Sequence, residues 1–74
     1  MRTITEIKPL DNFNLICSFD NGQEKQIDLN PIINLPAFAI LKENNNFSQV
    51  VNKKYFIEWP MFEVDLSADT LFKL

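Results

Sequence analysis

Apolar and polar residues alternate on both sides of Asn21-Gly22, and this pattern predicts a β-hairpin. Asn-Gly favours a tight turn, because glycine adopts positive φ without cost and asparagine tolerates it. A two-residue loop would set Ile27 against Ile16. A three-residue loop over residues 20–22, with the glycine as a left-handed bulge, instead sets Ile27 against Leu15 and gathers the apolar side chains on one face. We expect the second register, since a slip of one residue moves every side chain to the opposite face.

Three further strands follow from the same kind of pattern. Residues 3–8 predict a first strand, and Ile4 and Ile7 are three apart, which indicates a bulge or a short edge strand. Residues 47–51 and 55–59 predict a second hairpin. Its second strand is expected to present an inner face made of Tyr55, Ile57 and Trp59.

Short helices account for most of the remaining chain. Asn30 has the form of an N-cap followed by a proline, residues 37–43 can form a second helix, and Ser67 is placed to cap a helix over residues 68–72. The prediction is an α+β fold: a small, mostly antiparallel sheet of two hairpins plus an N-terminal strand, packed by two or three short helices. Residues 1–74 are expected to form one domain.

Composition adds that the interior must be dense. A chain of 74 residues hides only about 60–65% of its unfolded surface, and seven phenylalanines and one tryptophan supply apolar area. The single cysteine, Cys17, falls on the inward face of its strand, so we expect a core thiol in a reducing compartment, the cytoplasm. No leader peptide and no membrane-spanning segment are expected, because the longest apolar run covers residues 37–41.

The residues that usually carry catalysis are scarce. The chain has no histidine, one cysteine and one glycine, which removes the commonest general base, the usual zinc spacings and any glycine-rich phosphate loop. Cys17 lies between Ile16 and Ser18, without a neighbouring base to lower its pKa. We therefore expect no enzyme activity, no catalytic residues, no metal and no cofactor.

The charge pattern offers one candidate surface. The net charge is −3 and the cations are scattered, which disfavours direct nucleic-acid binding. Between Lys54 and Lys73 the chain has acids and no base, next to several large apolar residues, as a surface for a basic protein would require. The alternative is a solvated face beside core aromatics. The candidate partner-binding residues are Glu58, Trp59, Met61, Phe62, Glu63 and Asp65.

Several segments taken together resemble a small bacterial family, domain of unknown function 2442 (DUF2442). The resemblance runs from about Ile4 to Phe72. Two departures stand out: many members have a polar residue and glycine soon after the Trp-Pro pair, where this chain has residues 61–64, and Ala68 stands where proline is frequent. The matching segments are Phe19-Asp20-Asn21-Gly22-Gln23, Ile27-Asp28-Leu29, Ile57-Glu58-Trp59-Pro60 and Asp65-Leu66-Ser67-Ala68-Asp69-Thr70-Leu71-Phe72.

The resemblance implies a small α+β domain with no established activity and no agreed catalytic residues. It also implies a gene beside that of another short protein, as in toxin–antitoxin-like pairs, and some members carry a helix-turn-helix domain. Our first hypothesis is a cytoplasmic protein-interaction or regulatory module, the antitoxin-like half of such a pair, whose partner is a small basic protein encoded nearby. The alternative is an accessory domain of a transcription regulator, acting through a DNA-binding partner or as a homodimer. A monomer and a homodimer both remain open.

Overall fold

Six short strands in two antiparallel sheets form the framework. The computed structural model describes residues 2–74. The strands are β1 (Ile4–Pro9), β2 (Asn14–Phe19), β3 (Glu24–Asp28), β4 (Val51–Asn52), β5 (Phe56–Trp59) and β6 (Val64–Ser67). The helices are α1 (Asn30–Ile33) and α2 (Ala68–Lys73), and 3-10 segments cover Asp11–Phe13, Pro36–Lys42, Asn46–Gln49 and Pro60–Phe62. The first sheet has the order β1-β2-β3 and the second β4-β5-β6, which confirms the predicted α+β class.

The β2–β3 hairpin has the predicted register. Leu15 lies opposite Ile27. The Phe19 N–H donates to the Gln23 carbonyl at 2.9 Å, which leaves a three-residue loop. Gly22 has φ of +84°, the left-handed bulge conformation that glycine adopts without a steric penalty. Burial of the apolar face has therefore selected the longer loop.

A bulge in β1 explains the three-residue spacing of its isoleucines. Ile4 lies opposite Phe19 and Glu6 lies opposite Ser18, so the register shifts between these pairs. Because the extra residue reverses the alternation of side chains, Ile4 is buried and Ile7 also packs against the core. The bulge predicted from the spacing is confirmed.

The two sheets meet at Ile4. Its backbone N–H donates to the Lys54 carbonyl at 2.6 Å, and the Asn52 side-chain amide donates to its carbonyl at 2.9 Å. These bonds join β1 to the β4–β5 hairpin. Both sheets contribute to one cluster of buried residues: Ile4, Leu15, Cys17, Phe19, Ile27, Leu29, Ile33, Leu41, Phe47, Ile57, Trp59, Val64, Ala68 and Leu71.

Trp59 lies at the aromatic centre of this core and is 0% exposed. Its indole N–H donates to the Phe47 carbonyl at 2.9 Å, so the one polar atom of the ring is satisfied. The ring centroids of these two residues are 5.8 Å apart. Phe13 packs edge-on against Phe47 at 5.4 Å. The 3-10 segment containing Phe47 is thereby fixed to β5.

The second hairpin is shorter than predicted. Residues 47–51 were expected to be a strand, but Asn46–Gln49 is a 3-10 segment and β4 is limited to Val51–Asn52. Phe47 faces the core from this segment, where its carbonyl accepts from the indole. Tyr55 was expected on the inner face, but it precedes β5 and is 46% exposed. The inner face of β5 is therefore made by its two buried residues, Ile57 and Trp59.

Helix α2 begins as predicted, whereas α1 does not. Ser67 Oγ accepts from the Thr70 N–H at 3.1 Å, which confirms the cap of α2. For α1 the N-cap position is Leu29, and Asn30 is already helical, so the Asn30 cap was wrong. Instead, the Asn30 N–H donates to Asp28 Oδ1 at 2.9 Å. This bond and the one from the Asn30 side chain hold the pKa of Asp28 below its ordinary value.

Cations hold α2 against the first sheet. Lys25 Nζ donates to the carbonyls of Phe72 and Leu74, at the negative end of the helix dipole. The Arg2 guanidinium lies 3.4 Å from the Phe72 ring centroid and pairs with Asp69 at 3.9 Å. The Phe72 ring also packs edge-on against Phe19. The segment predicted as residues 37–43 is likewise placed by packing, since it is a 3-10 turn with Leu41 buried.

We predict that Trp59→Ala lowers the free energy of unfolding by about 3–5 kcal/mol, because the substitution leaves a large cavity and strands the Phe47 carbonyl. Urea unfolding followed by circular dichroism measures this change. Tyr55→Ala is the control and is expected to cost about 1 kcal/mol or less, because this ring is largely exposed. Equal losses in the two variants would contradict the placement of Trp59 in the core.

Candidate protein-interaction surface

The outer face of the second sheet carries a row of three side chains, one from each strand. Glu58 on β5 lies opposite Val51 on β4 and opposite Asp65 on β6. Since side chains alternate along a strand, the buried neighbours of Glu58, Ile57 and Trp59, point the other way. The row therefore faces outward. Val51 is 39% exposed at one end, and the Asp65 carboxylate is exposed at the other.

Two of these side chains repel each other. Directly opposed residues of an antiparallel pair have Cβ atoms about 4.5–5.5 Å apart, and like charges there are destabilising. Glu58 and Asp65 stand in this relation. Over residues 2–74 neither carboxylate, nor that of Glu63, forms an ion pair, and the ion pair found there joins Arg2 to Asp69. The two opposed carboxylates therefore carry negative charge that no ion pair within residues 2–74 neutralises.

The connection between β5 and β6 adds an exposed apolar side chain. Met61 is 76% exposed and belongs to the 3-10 segment Pro60–Phe62. Glu63 follows with φ of +55°, a left-handed conformation that favours glycine. We call Val51, Glu58, Met61, Glu63 and Asp65 the acidic surface.

The acidic surface differs from the predicted set at three residues. Trp59 does not belong to it, because its side chain is fully buried and bonded to Phe47. Phe62 is half-buried and packs against the core, so only part of its ring faces outward. Val51 was missed, since its place beside Glu58 follows from the strand register, which the sequence pattern left undefined. The other four candidates are exposed or half-exposed.

Cys17 is the residue closest to a nucleophile, and its surroundings oppose that chemistry. Its side chain is fully buried. Burial raises the pKa of the thiol to about 11, and the positive charge of Lys25 offsets this only in part. Because the thiolate is the nucleophile, a thiol with this pKa is inert near neutral pH. Cys17 serves as a small apolar residue of the core.

The part of the chain that the structure describes has neither a metal-binding cluster nor a membrane-spanning helix. Residues 2–74 contain no group of three or more histidine, cysteine, aspartate or glutamate side chains that could hold a metal ion. Over the same residues, no helix has both the length and the apolar character that crossing a membrane requires.

Fold and surface together define a small α+β domain with an aromatic interior and an acidic outer sheet face. The family model for proteins of unknown function, DUF2442, matches residues 4–74. The chain therefore belongs to this family, as the resemblance of its segments indicated. No curated protein and no solved structure matches the chain.

We predict that Glu58→Gln raises the free energy of unfolding by about 0.2–1 kcal/mol, because it removes the repulsion from Asp65. Thermal unfolding at low and high salt measures the gain, which salt should reduce by screening. Glu6→Gln is the control, since Glu6 lies opposite the uncharged Ser18. An equal gain in both variants would show that general charge, and not the opposed pair, sets the effect.

We predict that burial of the Cys17 thiol makes stability fall at high pH. The unfolded chain loses this proton near its ordinary pKa of 9.0, and the folded chain only near 11, so the free energy of unfolding falls as pH rises between these values. Urea unfolding across that range should show a larger loss for the unsubstituted protein than for Cys17→Ala. Parallel losses, or fast reaction of the native thiol with Ellman's reagent, would contradict the assignment.

Proposed function

We propose that this protein is a cytoplasmic, non-enzymatic interaction module whose acidic surface binds a basic protein. The observation that carries the proposal is the opposed pair Glu58 and Asp65, which forms no ion pair with a cation of residues 2–74. Such a pair costs stability in the free domain. A lysine or arginine from a partner would remove that cost on binding and gain an attractive interaction.

Apolar side chains around the pair support the same proposal. Met61 is the most exposed of the large apolar residues reported for the chain, and its flexible thioether adapts to varied contact surfaces. Val51 adds a branched side chain at the other end of the row. A few apolar contacts surrounded by charge are typical of protein interfaces, where charges steer encounter and apolar groups hold the complex.

The partner that we propose is a small basic protein encoded beside this one. In a toxin–antitoxin-like pair, the acidic half would bind the basic half and hold it inactive. This role requires recognition and no catalysis. It is consistent with a chain that has no histidine and whose single thiol is buried and protonated.

The test is affinity purification of the tagged protein from its native host at low and high salt. The surface variant combines Glu58→Gln with Asp65→Asn. The matched control combines Glu6→Gln with Glu24→Gln, which removes two acids from exposed or half-exposed positions of the first sheet. We expect a basic protein to co-elute with the unsubstituted protein and with the control at low salt. The surface variant should recover about tenfold less, as for the loss of about 1.4 kcal/mol.

High salt should release the partner from every form of the protein, because screening weakens exposed charge interactions. Met61→Ser, in a separate variant, should weaken recovery without changing the salt dependence. Equal recovery by the surface variant and the control would overturn the proposal. So would co-elution only of proteins that are neutral or acidic.

A further inference from the structure

The edge of β6 that points away from β5 carries backbone N–H and C=O groups without hydrogen-bond partners among residues 2–74. The Ala68 N–H donates to the Tyr55 carbonyl at 2.9 Å, toward β5. In an antiparallel strand, every second residue directs its backbone N–H and C=O groups to the same neighbouring strand. The backbone groups of Val64 and Leu66 therefore also point toward β5. The N–H and C=O groups of Asp65 therefore point away from β5, at the open edge of the sheet.

No other element forms backbone hydrogen bonds with this edge within residues 2–74. β6 is the terminal strand of its sheet. Backbone hydrogen bonds between different elements do not involve Asp65. Helix α2 leads away from the edge, since its C-terminal carbonyls lie against Lys25 on the first sheet. An uncovered strand edge is a template for pairing with another extended chain.

We propose that β6 accepts an added strand from the basic partner, and that this strand alternates basic and apolar residues. The proposal rests on the function proposed above and specifies how the partner is bound. Addition of a strand to a sheet edge gives affinity through backbone hydrogen bonds and specificity through alternate side chains. The open groups of Asp65 lie at the edge where such a strand would pair.

The two faces of β6 specify the two kinds of partner residue. On the outer face, Asp65 lies next to Glu58. The outward side chains of an added strand would lie beside Asp65 and would therefore meet negative charge. On the inner face, Leu66 is half-buried and packs against the core, as does Phe62. Inward side chains of the added strand would therefore continue an apolar layer. Basic and apolar residues in alternation satisfy both faces.

A second copy of this chain fits the edge poorly. Antiparallel pairing of two β6 strands centred on Asp65 would set this carboxylate against its own copy. A shift toward Glu63 would set it against that acid instead. Like charges directly opposed across a strand pair are destabilising. In these two registers the edge disfavours self-association and favours a cationic strand.

The open edge of β3, in the first sheet, does not combine an acidic outer face with an apolar inner face. Lys25 occupies the inner face of β3 and bonds the carbonyls at the end of α2. An inward apolar side chain of an added strand would thus lie beside a lysine. The β3 edge also carries Glu24 and Asp28 with this cation between them in sequence, a pattern of charge that protects edges. The β3 edge serves as an internal control.

The test uses the full chain, labelled with nitrogen-15, and a synthetic heptapeptide of alternating lysine and valine. A second peptide with the same composition, but with all lysines before all valines, controls for charge alone. We expect the alternating peptide to slow hydrogen exchange of the Asp65 amide by about tenfold at saturation, as for a newly formed backbone hydrogen bond. The Gln26 amide on β3 should not change. The second peptide, with all lysines before all valines, should shift side-chain signals without slowing exchange of the Asp65 amide.

Two substitutions at one position separate the edge from the charge. Asp65→Asn removes the carboxylate and keeps the N–H, whereas Asp65→Pro removes both and is tolerated at an edge where the N–H faces outward. Signals of β5 and the melting temperature show that each variant is folded. We expect Asp65→Pro to bind the alternating peptide about fivefold more weakly than Asp65→Asn, as for the loss of one hydrogen bond worth about 1 kcal/mol.

The outcomes distinguish this inference from the proposed function. If Glu58→Gln weakens binding, but Asp65→Pro and Asp65→Asn bind equally and exchange at Asp65 is unchanged, strand addition is overturned and the acidic surface stands. If Glu58→Gln has no effect on binding of either peptide, the proposed surface itself fails. Strand addition is also overturned if the alternating peptide binds no better than the peptide with all lysines before all valines.

Discussion

The hydrogen bond from the Trp59 indole to the Phe47 carbonyl, at 2.9 Å, ties the irregular middle of the chain to the second sheet. Without it, a 3-10 segment of four residues would have little to fix it, since such short turns are marginal on their own. The bond places Phe47 against Trp59, and Phe13 then packs on Phe47. The first sheet reaches the second through these rings and through the backbone bond at Ile4.

Because the aromatic core encloses the largest side chain, the residues left at the surface determine which functions are open to this chain. A chain of 74 residues has little surface to spare, and its largest side chain is enclosed completely. The thiol is enclosed as well, with a pKa near 11. On the outer face of the second sheet, the opposed carboxylates of Glu58 and Asp65 remain at the surface. Recognition of another macromolecule is the function that we propose for this surface.

Local rules predicted part of the fold. The Asn21-Gly22 turn, the bulge in β1 and the Ser67 cap each depend on residues close in sequence, and each is confirmed. The 47–51 strand was wrong because Phe47 is placed by a contact with Trp59, twelve residues away, which alternation does not contain. For the surface, the acids could be found from charge alone. Their opposition and the contribution of Val51 depended on a register that only the structure provides.

Calorimetric titration of the purified natural partner into this protein, at several salt concentrations, tests the central claim most directly. The account predicts that affinity falls steadily as salt rises. It also predicts that this dependence is weaker when Glu58 and Asp65 are replaced together by their amides, because fewer charges then meet the partner. A salt dependence that is absent, or that is identical in the two proteins, would contradict the account.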